Sequence, residues 1–350
     1  MKEKENDNLQ QNALTIYDIS EKAGVSIATV SRVLNGSRKV SPTTKEKVMQ
    51  VIDACGYEPN AFARGLGTGT MKTIGILCAD VADLYLANAV SFLERELRQH
   101  GFDTILNCTG YALQEKQSCI KAMEARRVDA VILVGSHYVE KDQKKNQYII
   151  DASCRLPVVM VNGYLKGENI YCNLSDEYGA FYETADYLIR CGRKKILFLY
   201  REETSSARAK LAGYQDALKK NEMEFRTELA FQSCGKMEKI RRDLESVSEQ
   251  GLSFDAVLAT DDELALAALK FAQNQQLQIP KDLAIIGCNN SVLSISCSPE
   301  MSSIDNKCEM LCISTVSTLM QVLNGQDAAH KTVLSTDFIE RETTKYTDKM

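Results

Sequence analysis

Near Lys72 the hydrophobic pattern of this chain changes period, and the change divides it into two unlike parts. Beyond that point short apolar runs rich in β-branched residues alternate with amphipathic stretches of helical spacing. The runs are Ile74–Cys78, Thr104–Leu106, Ala130–Val134, Val158–Val161, Ile196–Tyr200, Ala256–Ala259 and Leu283–Gly287. The helical stretches between them include Ala87–Gln99, Gln114–Ala125, Glu177–Arg190, Ala207–Lys220 and Glu263–Gln275. Near-continuous apolar strands separated by helices predict a parallel sheet covered on both faces. Residues 73–345 are too many for one compact sheet, so two α/β lobes with a cleft between them are expected.

Before the change, the pattern is helical only. Thr15 and Asp18 form a capping box, and Ile16, Ile19 and Ala23 follow at helical spacing until Gly24. Val25 fills the corner of the turn. Ser26 then caps a second helix, Ile27 to Leu34, whose inner face carries Val30, Val33 and Leu34. Ser41 and Pro42 open a third, buried through Val48, Ile52 and Cys55 and ended by Gly56. The organisation expected is a disordered arm at 1–13, a helical head at 14–59, a linker at 60–72, the two-lobed body at 73–345 and a polar tail at 346–350. The whole stretch after Arg341 reads as polar.

Composition excludes little. The net charge of −5 disfavours a chain coated all over with nucleic acid but permits a small basic module on an acidic body. From Leu14 to Thr70 seven Lys and Arg face five Asp and Glu, an excess too small to decide anything. No apolar run approaches the roughly 18–20 residues needed to cross a bilayer, and no export signal is legible, so a cytoplasmic protein with no membrane partner is expected. Twelve cysteines are scattered along the chain, with Cys78, Cys154 and Cys288 read as lying in apolar strands. No CxxC pair occurs, and Cys308 and Cys312 have no matching histidine among the three present. They read as small buried apolar residues in a reducing compartment, with no metal and no cofactor.

Two helices joined by a tight glycine turn can place the second in the major groove of DNA. Ser26, Thr29 and Ser31 are small hydroxyl residues that reach phosphates without holding the helix away from the duplex. Arg32 can grip guanine with two hydrogen bonds, while Ile27 and Ala28 can touch thymine methyls. Taken alone, the pattern is also that of a three-helix capping bundle with a solvated hydroxyl face.

The residues themselves separate these readings. The segment from Leu14 to Asn35, with Ala23-Gly24-Val25-Ser26 at the turn, closely resembles the head of the lac repressor (LacI/GalR) family. Val40-Ser41, Gly56-Tyr57-Glu58-Pro59-Asn60, Ala63-Arg64 with Leu66, and Thr73-Ile74-Gly75 match as well, with the same spacing. The resemblance implies phosphate contacts at Ser26, Thr29 and Asn35, base reading by Ile27, Ala28 and Arg32, and further DNA contacts at Thr15 and Ser31. It also implies a short hinge helix capped by Asn60, which on DNA wedges Leu66 into the minor groove and kinks the duplex. A connector leucine packing against its own body is the other reading of Leu66. Gly65 inside that hinge costs about 1 kcal/mol relative to alanine, so the hinge is expected to form less readily when free.

The body resembles the family's effector domain, itself similar to periplasmic sugar-binding proteins. The match runs through Gly101-Phe102-Asp103, Val128-Asp129-Ala130, Leu156-Pro157-Val158-Val159, Ala259-Thr260-Asp261-Asp262-Glu263, Ile279-Pro280-Lys281-Asp282 and Ile286-Gly287. It implies a double-stranded DNA operator, a homodimer and a small-molecule effector, with Asp80, Tyr85 and Leu86 on the first lobe's wall. Lys210 stands where the family usually has an arginine, and Asn289 where it has an aspartate. Both departures change the hydrogen-bonding set, so no member's ligand is carried over beyond a sugar or sugar derivative. Arg208 is either a second positive group or a solvated helix position. Asp261 and Asp262 either cap the next helix or touch ligand. Three other functions remain to be weighed. A solute-binding protein would carry an export signal and no head. An enzyme would show a nucleophile elbow, phosphate loop or dinucleotide fingerprint, none of which is present. A body controlled by a protein partner is compatible with the sequence.

Overall fold

The computed structural model describes residues 14–34, 36–37, 39–57 and 70–345. Two compact units divide at Lys72 and Thr73.

In the first unit, helices α1 (Ile16–Ala23), α2 (Ile27–Leu34) and α3 (Pro42–Cys55) enclose a core of Ile19, Ala23, Val30, Val33, Val48, Ile52 and Tyr57. Asp18 Oδ2 accepts from both the Thr15 amide and its hydroxyl at 2.7 Å, which closes the first turn of α1. Gly24 takes φ +59° in the left-handed region, so its amide and that of Val25 can return to the carbonyls of Glu21 and Ser20. Ser41 Oγ accepts from Thr44 N at 3.2 Å to start α3. Val25 packs partly buried against this core. Asn35, Asn60, Gly65 and Leu66 lie outside the described residues.

The second unit holds two six-stranded sheets, each with helices on both faces. The first contains β1 (Thr73–Cys78), β2 (Asp103–Cys108), β3 (Ala130–Val134), β4 (Val158–Val161), β5 (Ile170–Ser175) and, by return of the chain, β11 (Lys331–Leu334). Its order is β11-β5-β4-β3-β1-β2, and all its pairs are parallel. The second contains β6 (Ile196–Tyr200), β7 (Ala230–Gln232), β8 (Ala256–Ala259), β9 (Ala284–Cys288), β10 (Ser302–Asp305) and β12 (Asp337–Ile339), in the order β12-β10-β9-β8-β6-β7. Only β12 runs antiparallel, along β10.

Helices α4 (Leu84–Gln99), α5 (Leu113–Ala125), α6 (Gln147–Ser153) and α12 (Cys308–Leu323) cover the first sheet. The second is covered by α7 (Glu177–Arg190), α8 (Ser205–Lys220), α9 (Met237–Glu249) and α10 (Asp262–Asn274), with the short α11 (Val292–Ser296) after β9. Gly213 permits the close approach of α8 to α7, since a Cβ there would meet Tyr178 O at 2.2 Å.

The chain therefore passes between lobes after β5, after β10 and after β11, and the three passages are tied together. Ser175 Oγ donates to Asn306 O (3.0 Å), Asp176 N donates to Leu334 O (2.8 Å), and Lys307 pairs with Asp337 at 3.1 Å. Two expectations need correcting. Residues 342–345 are not a free tail: Thr343 and Thr344 are buried, and Thr343 Oγ1 donates to Ile285 O, because the polar side chains find partners along the second sheet. Cys154 is exposed at the end of α6, and only Cys78, Cys172, Cys288 and Cys312 are fully buried.

Candidate functional site

Two places in the molecule offer recognition chemistry. The first is the outer face of α2. Val30 and Val33 are buried, which fixes the rotation of the helix and turns Ala28 and Arg32, one turn apart, to the opposite side. Ile27 is 38% exposed at the start of the helix, while Val30 and Val33 fill the core. Ser26 and Thr29 are joined at the first turn: the Thr29 amide donates to Ser26 Oγ (3.2 Å), and their hydroxyls lie 2.9 Å apart. Ser31 is half-buried on the flank. Thr15 is exposed, with its hydroxyl donating to Asp18. The residues expected to read bases thus share one solvent face, and of the hydroxyls expected at phosphates Ser26 and Thr29 lie at its N-terminal end and Ser31 on its flank.

The second place is the cavity between the lobes, about 190 Å³, at the C-terminal ends of the strands of both sheets. From the first lobe come Asp83, Tyr85, Leu86, Tyr111, His137 and Asn162. The second contributes Arg201, Lys210 and Asp261, and the passages between lobes contribute Glu177 and Asn306, with Asn289 close by at the end of β9.

Tyr85, Leu86, Lys210 and Asn289 line this cavity as expected positions of the wall. Asp80 does not appear among the described lining residues; it is exposed and its Oδ1 accepts from Ala82 N, while Asp83 takes the place on the wall, capping α4 through Leu86 N at 2.9 Å. Asp262 also lies behind the wall. Its oxygens accept from Ser303 Oγ and Ser291 N, both at 2.6 Å, so it fastens α10 to β10 and α11. Asp261 instead lines the cavity and caps α10, accepting from Leu264 N at 2.8 Å. Arg208 is turned to the Glu203 carbonyl.

Charge in the cavity is largely paired within the protein. Lys210 is buried, donates to Thr260 O (3.0 Å) and lies 3.4 Å from Glu177. Burial pushes its pKa down, but the negative groups around it, Cys288 as a thiolate, Glu177 and Asp261, push it further up, and the net shift is upward. At neutral pH Cys288 is a thiol, its pKa pushed up to about 12 by burial, so Glu177 is the effective partner. Arg201 holds Asp261 through Nε (2.9 Å) and Glu263 through Nη2 (2.6 Å). Asn289 Oδ1 accepts from Asn306 Nδ2 at 2.8 Å, and Asn162 Nδ2 donates to the Tyr85 hydroxyl at 2.6 Å. His137 packs edge-on against Tyr111 and beside Tyr138. Burial, reinforced by Lys116, pushes its pKa down to about 3, so the ring is neutral at physiological pH.

Sequence reasoning missed Asp83, Tyr111, His137, Asn162, Glu177, Arg201 and Asn306. A usable signal was present: Asn162, Arg201 and Asn306 are each the first residue after a strand, where the side chain enters the cleft. For Asn306 that strand, Ser-Ser-Ile-Asp, carried no apolar run to mark it.

Residues 15–60 match the model for bacterial regulatory proteins of the lacI family, and residues 185–344 match that for a periplasmic binding protein-like domain. An HTH-type transcriptional regulator of Lachnoclostridium phytofermentans is 49% identical over 333 residues, covering 95% of this chain and 100% of the relative. Catabolite control protein A of Staphylococcus xylosus is 29% identical over 334 residues, covering 95% and 99%. Among solved structures, the lac repressor dimer bound to operator and the anti-inducer ONPF is similar with a TM-score of 0.84 at 22% identity, covering 95% of this chain and 99% of that one. The CelR–cellobiose complex is similar with a TM-score of 0.69 at 24% identity, covering 94% and 99%. Likeness at these identities shows the fold alone.

Proposed function

This chain belongs to the lacI family of bacterial regulatory proteins, and from that premise we propose that it is a transcriptional repressor, working in the cytoplasm as a homodimer on a palindromic operator and controlled by a small sugar or sugar derivative. The observation that carries the DNA-reading half is the exposed face of α2: burial of Val30 and Val33 leaves Ile27, Ala28 and Arg32 directed at solvent together. Nothing in a self-contained bundle favours an exposed isoleucine beside an exposed arginine there, whereas the floor of a major groove offers thymine methyls and guanine edges to both. Ser26, Thr29 and Ser31 would meet the backbone, and a two-fold pair of heads would meet two half-sites. Asn35, Asn60 and Leu66 belong to the same proposal by resemblance.

The effector reading is supported by the cavity at the strand ends, with convergent amides and charges from both lobes and from the passages that join them. A ligand bound to one lobe arrangement more tightly than to the other shifts their equilibrium, and DNA affinity responds through linkage. The test is selection of bound duplexes from a random pool, with and without a metabolite library. A symmetric consensus whose retention changes with metabolites is expected; a pool with no salt-sensitive preference under any condition would refute the regulator reading. In the same assay, Arg32→Ala should narrow the ratio of consensus to random affinity by about tenfold to a hundredfold while general affinity falls little, since one base contact is worth 1–3 kcal/mol of discrimination.

A further inference from the structure

Four carboxylates line the interlobe cavity, Asp83, Glu177, Glu202 and Asp261, against two cations. Its two cations are engaged, Lys210 by Glu177 and Arg201 by Asp261 and Glu263. Among the described residues, no ion pair closes on Asp83 or Glu202, which line the same cavity. Asp83 stands at the open mouth of the cavity, where loss of solvent raises its carboxyl pKa, Asp261 adds to the rise, and the Leu86 amide and Arg201 offset it only in part. A second kind of vacancy lies across the cavity. Asn306 is 5% exposed, and its Oδ1 has no hydrogen-bond partner, although its Nδ2 is held by Asn289. A buried acceptor without a donor is costly, and a ligand donor relieves it. Tyr111, 52% exposed and braced edge-on by His137, stands beside Asp83 and Glu202. An aromatic face flanked by carboxylates is an environment that attracts an ammonium group.

We propose that the effector carries a protonated amine on a polyhydroxylated scaffold, in chemical class an amino sugar, with its ammonium among Asp83, Glu202 and Tyr111 and a further donor on Asn306. This rests on the reading of the cavity as the effector site. Sugar phosphates and uronic acids would set their charge against these carboxylates with no cation left unengaged to receive it. Neutral sugars satisfy Asn306 but leave the carboxylates uncompensated.

The test uses the full chain and its Asp83→Asn/Glu202→Gln variant, in which asparagine retains the helix cap. Binding is measured by calorimetry and thermal shift with D-glucosamine, D-galactosamine and D-mannosamine, each beside its neutral parent, its N-acetyl derivative and its 6-phosphate, and with calcium chloride alone. The expected result is that at least one amine binds, about tenfold or more tighter than its parent and N-acetyl forms, and that the double variant loses that margin, a factor that corresponds to one charge-assisted contact. The inference is overturned if a neutral or phosphorylated member binds as tightly, if calcium alone gives the stabilisation, if the double variant keeps the margin, or if no amine binds. In the last case the regulator reading still stands wherever DNA retention responds to other metabolites, so the two failures are separable.

Discussion

The recognition proposed for the head lies along one face of a single eight-residue helix, whereas that proposed for the body is gathered from strand ends that are far apart in the chain. On α2, two buried valines fix the helix rotation, and every other side chain takes its direction from the 3.6-residue period. In the body, Asp83 and Asp261 face one cavity although they belong to different lobes, and they do so because three separate passages hold those lobes together. The contrast implies that damage to the head's site is local, while damage to the body's site is shared by everything that supports it.

The largest expected effect tests the shared side. Lys210→Met removes the ammonium and leaves Glu177 with the Ser206 hydroxyl but no cation, a change that costs about 3–5 kcal/mol for a buried pair. Thermal denaturation should show a fall of that order, and the double change Lys210→Met/Glu177→Gln should restore most of it. A loss no greater than that of Arg226→Met, which breaks an exposed pair, would mean the cavity pair is solvated, and the contrast would fail.

A second effect depends on pH. Because the folded pKa of His137 lies near 3 and the ordinary value near 6.5, the unfolded chain binds its proton first as pH falls. Stability is full above about pH 6.5 and is lost as pH falls toward 3. Replacing the ring with phenylalanine keeps an aromatic body against Tyr111 and removes the proton. Denaturant midpoints should therefore fall less steeply with acid in His137→Phe than in the wild type; parallel acid limbs would show that the ring is not held neutral.

The smallest expected effect belongs to the head. Ser41→Ala removes the α3 cap and should lower stability by about 1 kcal/mol. Amide exchange should rise in the first turn of α3 and leave the strands of the body unchanged. Exchange that rises across β8 or β9 would blur the distinction between a local and a shared site.

The sequence carried the head almost in full. Helix α2 was legible residue for residue, from Ile27 to Leu34, because its caps, its turn glycine and its apolar stripe are all short-range signals. Seven apolar strands of the two lobes were legible for the same reason, with Ala130–Val134 and Ile196–Tyr200 falling where the apolar runs lie. Strand β10 was not. Ser302 and Ser303 are fully buried, and they are tolerable there only because Thr344, Asp262 and the Arg341 carbonyl supply hydrogen-bond partners from elsewhere in the chain. No local pattern announces such a strand.

The cavity divides along the same line. That a cleft should exist at the strand ends follows from alternating strands and helices in a chain too long for one sheet. Which of two adjacent aspartates would face it did not follow: Asp261 enters the cavity and Asp262 turns to Ser303, a choice set by how α10 packs on β10. Period, caps and turn residues act over a few positions, and so the chain by itself determined the helices of the head, the apolar strands of the body, its division at Lys72 and the face with which α2 meets solvent. The pairing of charges, the acceptor left over on Asn306 and the burial of Thr343 and Thr344 depend on contacts between residues distant in sequence, and only the assembled tertiary structure could decide them.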